Sequence, residues 1–302
     1  MRKERSPEIK RLEKANAAIQ HFQAAVPRNV PDNALNKLIG SLHQGSVESF
    51  EIAATRYRKT RAGIHAVQQY DLELRRKNPK ATSFKAHPYD GYLHSAIRVD
   101  VESLFIFGVI IARRTLPIIK LFLPDTPAKK VFGDLHEFYT WLYDPAKGHS
   151  PLAEKLGSQL RPHLRWLHTV LRFYRNAFIE HLDEPRQQGT ILDFSGGRSR
   201  LSAYKWGFDS NDEAAIKDFK KRMLAKGINL PQEVRPRHYV QLLFDHISEV
   251  PDDLIKDALG LVEHIGIDSP EPEDLIEGVD GYLTFLFGFM EANLSDSRLS
   301  KC

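Results

Sequence analysis

The chain has a single cysteine, and it is the last residue, Cys302. One cysteine closes no intrachain disulfide and supplies no thiolate pair for a metal, and a thiol nucleophile has only the final position open to it. A reducing compartment is therefore expected. Long apolar runs are missing as well. The longest, Leu104 to Ile111, is soon followed by Arg113 and Arg114 and is too short to cross a bilayer. The opening MRKERSPEIKRLEK is charged and lacks the apolar core that a secretory signal needs. These absences predict a soluble, cytoplasmic protein with no membrane partner.

Neither sign of charge dominates: 43 Lys and Arg face 39 Asp and Glu, for a net charge of +4 and a pI near 9.0. Such a sum is compatible with a polyanion partner, but the case for one has to come from clustering. Internal repeats, low-complexity tracts and alternating strand and helix patterns are absent, and so is a Gly-x-Ser-x-Gly nucleophile elbow. Asp134-Leu135-His136-Glu137, His163 with His168, and Glu263-His264 supply metal-ligand atoms but not the spacing of a zinc or carboxylate metal site. Neither a metal nor a cofactor is expected.

What is present is an ordinary globular composition, 42% hydrophobic and 10% aromatic, with helical periodicity in nearly every segment. Ser6-Pro7 opens a first helix to about Val26, and Asp32 opens a second carrying Leu35, Leu38, Ile39 and Leu42. Gly45-Ser46 reads as a break before a third, from Val47 to Leu74. Asn78-Pro79 through Gly91 is a linker dense in turn residues, and Tyr92 to Arg114 is apolar almost all round, the mark of a helix buried mid-bundle. Leu116-Pro117 and Leu123-Pro124 read as breaks before Val131 to Tyr143. Ser150-Pro151 with Glu154 caps the next helix.

Further on, residues 189 to 206 alternate around Gly196-Gly197 as a β-hairpin would. The glycine pair has neither P-loop nor dinucleotide spacing and reads as a turn. Ser210 with Glu213 caps a helix that Gly227 closes. Helices to about Ser248, from Val250 to Ile265, and from about Ser269 to Asn293 complete the chain. The last is dense in aromatics from Tyr282 to Met290, as a closing core helix or a subunit contact would be. Its flank from Ser248 to Asp280 is acidic, opposite in character to the basic first half.

The most informative stretch is HLRWLHTVLRFYRNAFIEHLD, His163 to Asp183. At 100° per residue its leucines and aromatics fall within an arc of about 180°, while Arg165, His168, Arg172 and Arg175 cluster within about 80° opposite. Inside it, Arg175-Asn176 is followed by four residues and then His181. Arg58 with His65 and Arg161 with His168 have a similar spacing, but only Arg175 has an asparagine next to it. This run resembles the R-N-x(4)-H motif of HEPN domains, helical bundles many of whose members are metal-independent endoribonucleases. Ile97 to Phe107, with Asp100 and Glu102, resembles the acidic helix that such bundles pack beside the motif helix.

The resemblance, covering roughly residues 30 to 185, implies an all-α fold. It would be a HEPN-like bundle with an N-terminal helical extension over 1–185, followed by the β-hairpin and a C-terminal helical region over 186–302. It implies Arg175, Asn176 and His181 as catalytic residues, supported by Asp100, Glu102, Arg172 and His168. It further implies a composite cleft in a homodimer, an RNA substrate, and by analogy a toxin or antiviral defence effector with a cognate antitoxin or regulatory protein.

RNA carries its own nucleophile, the 2′-hydroxyl. Cleavage without metal therefore needs only a group titrating near neutrality and a cation for the crowded phosphate. On an unbroken helix Arg175 and His181 lie about 120° apart. Either the helix deforms towards Asp183-Glu184-Pro185, or the apolar arc is itself a dimer face, or His181 is a core histidine. Asp100 and Glu102 would meet Arg172 and Arg175 unless Arg98 takes one of them along its own helix. A second basic region, Arg56 to Arg61 and Arg75 to Lys77 with Tyr57 and Tyr70 interleaved, can serve phosphates and stacked bases or simply be a solvated face. The alternative to an endoribonuclease is a non-catalytic HEPN-like module that senses RNA, a nucleotide or a protein.

Overall fold

The structure, a computed structural model, describes residues 12–26, 32–78, 87–124, 135–164, 167, 186–187, 206–207, 213–230, 239, 242–243, 245–262 and 272–300. Among these, nine α-helices dominate: α1 (Glu13–Ala25), α2 (Asp32–Leu42), α3 (Glu48–Lys77), α4 (Asp90–Phe122), α5 (Leu135–Leu142), α6 (Pro151–Leu160), α7 (Glu213–Ala225), α8 (Asp252–Val262) and α9 (Pro272–Ala292). The all-α expectation holds for this part of the chain. Two-residue strands β1 (Arg186–Gln187) and β2 (Trp206–Gly207) pair antiparallel, Arg186 with Gly207 and Gln187 with Trp206. The hairpin expected over 189–206 otherwise lies outside the described residues.

α4 is the centre of the bundle, with α2, α3, α5 and α9 packed on it, but it is not buried all round as expected: Tyr92, Val99 and Ile106 are exposed, on a side that also carries the Arg98–Glu102 pair. α9 also lies along α1, where the rings of Phe22 and Phe287 sit 5.6 Å apart. The aromatic run of α9 is core, with Tyr282, Leu286, Phe287, Phe289 and Met290 all buried. A single hydrophobic cluster runs from Leu12 to Leu299, so the first and last helices share a core across the sequence boundary near residue 185. Inside it the Thr115 hydroxyl donates to the Ala112 carbonyl at 2.7 Å, which leaves the Tyr282 hydroxyl, 2.6 Å away, to donate to Thr115. Burial holds the Tyr282 phenol far above its ordinary pKa, so this α4–α9 link persists at any physiological pH.

Two expected breaks are absent. α4 continues through Pro117 to Phe122. A proline inside a helix costs about 3 kcal/mol, but Leu116, Ile118, Ile119 and Phe122 are all buried beyond it, and each such side chain returns about 1.5–3 kcal/mol. Burial wins, and the break falls at Pro124 instead. Gly45-Ser46 does not separate α2 from α3 either: a π-helical turn, His43–Val47, joins them. Ser46 bonds back to the Leu42 carbonyl at 2.5 Å, and the Arg114 guanidinium of α4 donates to the Ser41 carbonyl, which meets the hydrogen-bonding needs of the widened turn.

Gly45 is what lets Arg114 in, because a Cβ there would overlap the guanidinium. Gly45→Ala should therefore destabilise by up to about 1 kcal/mol, the loss of the Ser41 bond being partly offset by the helix preference of Ala. Gly40→Ala, with open space around its Cβ, should be neutral or stabilising. Denaturant unfolding of both, repeated in an Arg114→Ala background where the Gly45 penalty should vanish, checks the assignment.

Candidate functional site

Arg172, Arg175, Asn176, His181 and His168 lie outside the described residues. The structure does show how the chain approaches them. Ser150 caps α6, its hydroxyl accepting from the Ala153 amide at 3.2 Å. Pro162 then ends the helix in a 3₁₀ turn, Arg161–His163, with Leu164 and Leu167 buried just past it. Arg161 reaches the first turn of α8, donating to the Ser248 and Val250 carbonyls at 3.3 and 3.1 Å and pairing with Asp252. His163 stacks on Phe285 of α9 at 4.8 Å, with Tyr282 edge-on at 6.2 Å. The stretch that carries the motif thus leaves from a turn tied to both C-terminal helices.

Asp100 is 1% exposed, yet its carboxylate is engaged: Thr60 donates to Oδ2 at 2.8 Å, and Arg56 Nη2 lies 2.9 Å from Oδ1. The Arg56 contact is an ion pair without hydrogen-bond alignment. Glu102 pairs with Arg98 along α4 at 3.0 Å. Both acids therefore have partners within α3 and α4. Arg58, another member of the expected basic strip, grips Glu273 in the first turn of α9 through Nε at 2.7 and 2.9 Å and through Nη2. Tyr57 is also withdrawn from any surface role: it is 4% exposed, part of the core. A helix that must bury one face against α4 takes its aromatic inward.

The connecting end of the α3–α4 hairpin has a different character. Tyr70, 51% exposed, meets the His87 ring edge-on at 5.4 Å, and His87 lies 5.7 Å from the Tyr89 ring. His87 Nδ1 accepts from the Tyr89 amide at 3.3 Å, and the turn closes with the Asp90 amide on the His87 carbonyl at 3.0 Å. Tyr89 and Tyr92 are 65% and 71% exposed. Arg75, Arg76 and Lys77 form the exposed last turn of α3. Sequence reasoning found Tyr70 and the three cations but read His87 and Tyr89 as linker. The available signal was an aromatic and a histidine placed within a polar turn.

Among the described residues no group of three or more His, Cys, Asp and Glu side chains is placed to hold a metal. No helix among them is long and apolar enough to cross a membrane. Compared with family models, curated proteins and solved structures, the chain matches none.

Two expectations follow. Arg56→Ala strands a buried carboxylate on one hydroxyl and should cost about 2 kcal/mol, less than the roughly 3–5 of a fully buried pair because Arg56 is exposed. Asp100→Asn should cost less than Arg56→Ala, since it removes the buried charge and leaves the arginine to water. Equal losses in denaturant unfolding would contradict this account.

Burial holds His163 below its ordinary value near 6.5. As pH falls through about 6.5 the unfolded chain takes up a proton that folded His163 refuses, so stability is lost on acidification until the folded group also titrates. His163→Phe keeps the stack and removes the titration. Its unfolding midpoint should drop less than the parent's between neutral pH and pH 5.

Proposed function

We propose that the protein is a metal-independent endoribonuclease that cuts single-stranded RNA through Arg175, Asn176 and His181. The observation that carries this reading is the run Arg175-Asn176-x(4)-His181, set in a chain whose described part is a helical bundle. In the proposed reaction His181 takes the proton of a 2′-hydroxyl, and the 2′-oxygen attacks phosphorus. The bond to the 5′-oxygen breaks, and that oxygen leaves as a hydroxyl with a proton delivered by acid catalysis. Arg175 holds the charge on the phosphate oxygens and Asn176 orients one of the pair. Arg172 and His168 extend the cationic strip. By resemblance two copies form the cleft, and the activity is that of a toxin or defence effector restrained by an antitoxin or regulatory protein.

A specific observation supports a second reading, a non-catalytic helical module that binds RNA, a nucleotide or a protein. Among the described residues Asp100 has Arg56 and Thr60 as partners and Glu102 has Arg98, so these contacts give the acidic helix a structural role that needs no catalysis.

Single-stranded RNA incubated with the protein and EDTA should be cut to 2′,3′-cyclic phosphate and 5′-hydroxyl ends. Arg175→Ala and His181→Ala should each reduce cutting by at least about a hundredfold with melting unchanged. A broad RNA panel left intact by the parent, or parent-like cutting by His181→Ala, removes the enzyme reading and leaves the binding module.

A further inference from the structure

We propose that the connecting end of the α3–α4 hairpin is a stacking platform for unpaired RNA bases. Tyr70, His87 and Tyr89 would form the stacking surface, and Lys77, at the basic end of α3, would hold an adjoining phosphate. The ligand class rests on the RNA reading above, whereas the geometry is independent of Arg175 and His181.

Two tyrosines more than half exposed, linked through a histidine ring into one contiguous surface, give up apolar burial that the bundle could have used. The surface is also held ready. The Tyr89 amide on Nδ1 fixes the His87 ring and directs its proton to Nε2, and the Leu93 amide bonds back to the Tyr89 carbonyl at 2.9 Å. An anchored His87 ring lowers part of the ordering cost of binding.

Charge selects the ligand. The three exposed residues ending α3 are all basic; Lys77 lies two turns beyond Tyr70 on the same helix face, while Arg75 and Arg76 lie about 140° and 120° round the helix from it. The nearby acids are Asp71 and Glu73 on α3 and Asp90, whose carboxylate sits 3.4 Å from His94. The combination of open aromatic faces and a nearby cation is the recognition chemistry of single-stranded nucleic acid, in which every base offers a π face and the backbone offers phosphates. A duplex hides its base faces and cannot use the rings.

The test uses the full chain and a labelled 2′-O-methyl oligouridine of about a dozen nucleotides, which lacks the 2′-nucleophile and cannot be cut. Anisotropy should show that Tyr70→Ala with Tyr89→Ala weakens binding about tenfold or more without changing the salt slope. The Tyr70→Phe with Tyr89→Phe pair should bind like the parent. Lys77→Gln should instead flatten the log–log salt slope by about 0.7.

A double-alanine variant that melts and binds like the parent overturns the platform and leaves the ribonuclease reading standing. A parent that binds no oligouridine, or binds duplex RNA as tightly as single strands, overturns it too. Platform-dependent binding by a parent that cuts no RNA sinks the nuclease alone.

Discussion

The constraint on which the structure depends is the need to enclose α4. Its apolar side chains from Ile97 to Phe122 need cover, and α2, α3, α5 and α9 supply it. That demand outweighs local preference: it carries a helix through Pro117 and turns Tyr57 inward. It also sets the terms for polar groups. Thr115 is admitted with Ala112 and Tyr282 as partners, and Asp100 with Thr60 and Arg56. A buried polar group without a partner would give back much of what enclosure gains.

How far the fold can be read from the residues depends on where their partners lie. The Ser150 cap and the closure of α7 at Gly227, which adopts a φ of +82°, involve atoms a few residues apart, and the local pattern identified both. Gly45-Ser46 and Leu116-Pro117 looked like breaks because their local chemistry is that of breaks. What reverses them, the Arg114 guanidinium in one case and a set of buried side chains in the other, comes from tertiary packing.

The candidate sites divide in the same way. Arg175, Asn176 and His181 are legible as a string, but whether they converge depends on how two turns of chain are placed. Asp100 and Glu102 were conspicuous as acids in an apolar helix, and the expected cationic neighbour was a reasonable inference. Their partners within the described structure, Arg56, Thr60 and Arg98, follow from the close packing of α3 on α4. The pairing of Tyr70 with His87 bridges a linker and has no periodic signature. Pro162 marks the turn at Arg161–His163 in the sequence, but the partners of that turn are not legible there. The turn ties α6 to α8 through Arg161 and to α9 through His163, so helices carrying no motif residue fix the point from which the motif stretch departs.

The packing of α1 on α9 sets a schedule for biosynthesis. Ala15, Ile19 and Phe22 are buried in a core that includes Leu283 and Phe287, and the Ala15 amide bonds to Asp280 at 3.3 Å. Those partners are encoded some 250 residues downstream of α1. At about 5–20 residues per second, a ribosome adds them roughly 10–50 s after α1 has been made. A helix of 13 residues is marginal in isolation, so for that interval its apolar stripe is exposed on the nascent chain. α1 is made long before the helix that buries it, and the growing polypeptide must stay soluble or chaperoned until α9 clears the exit tunnel.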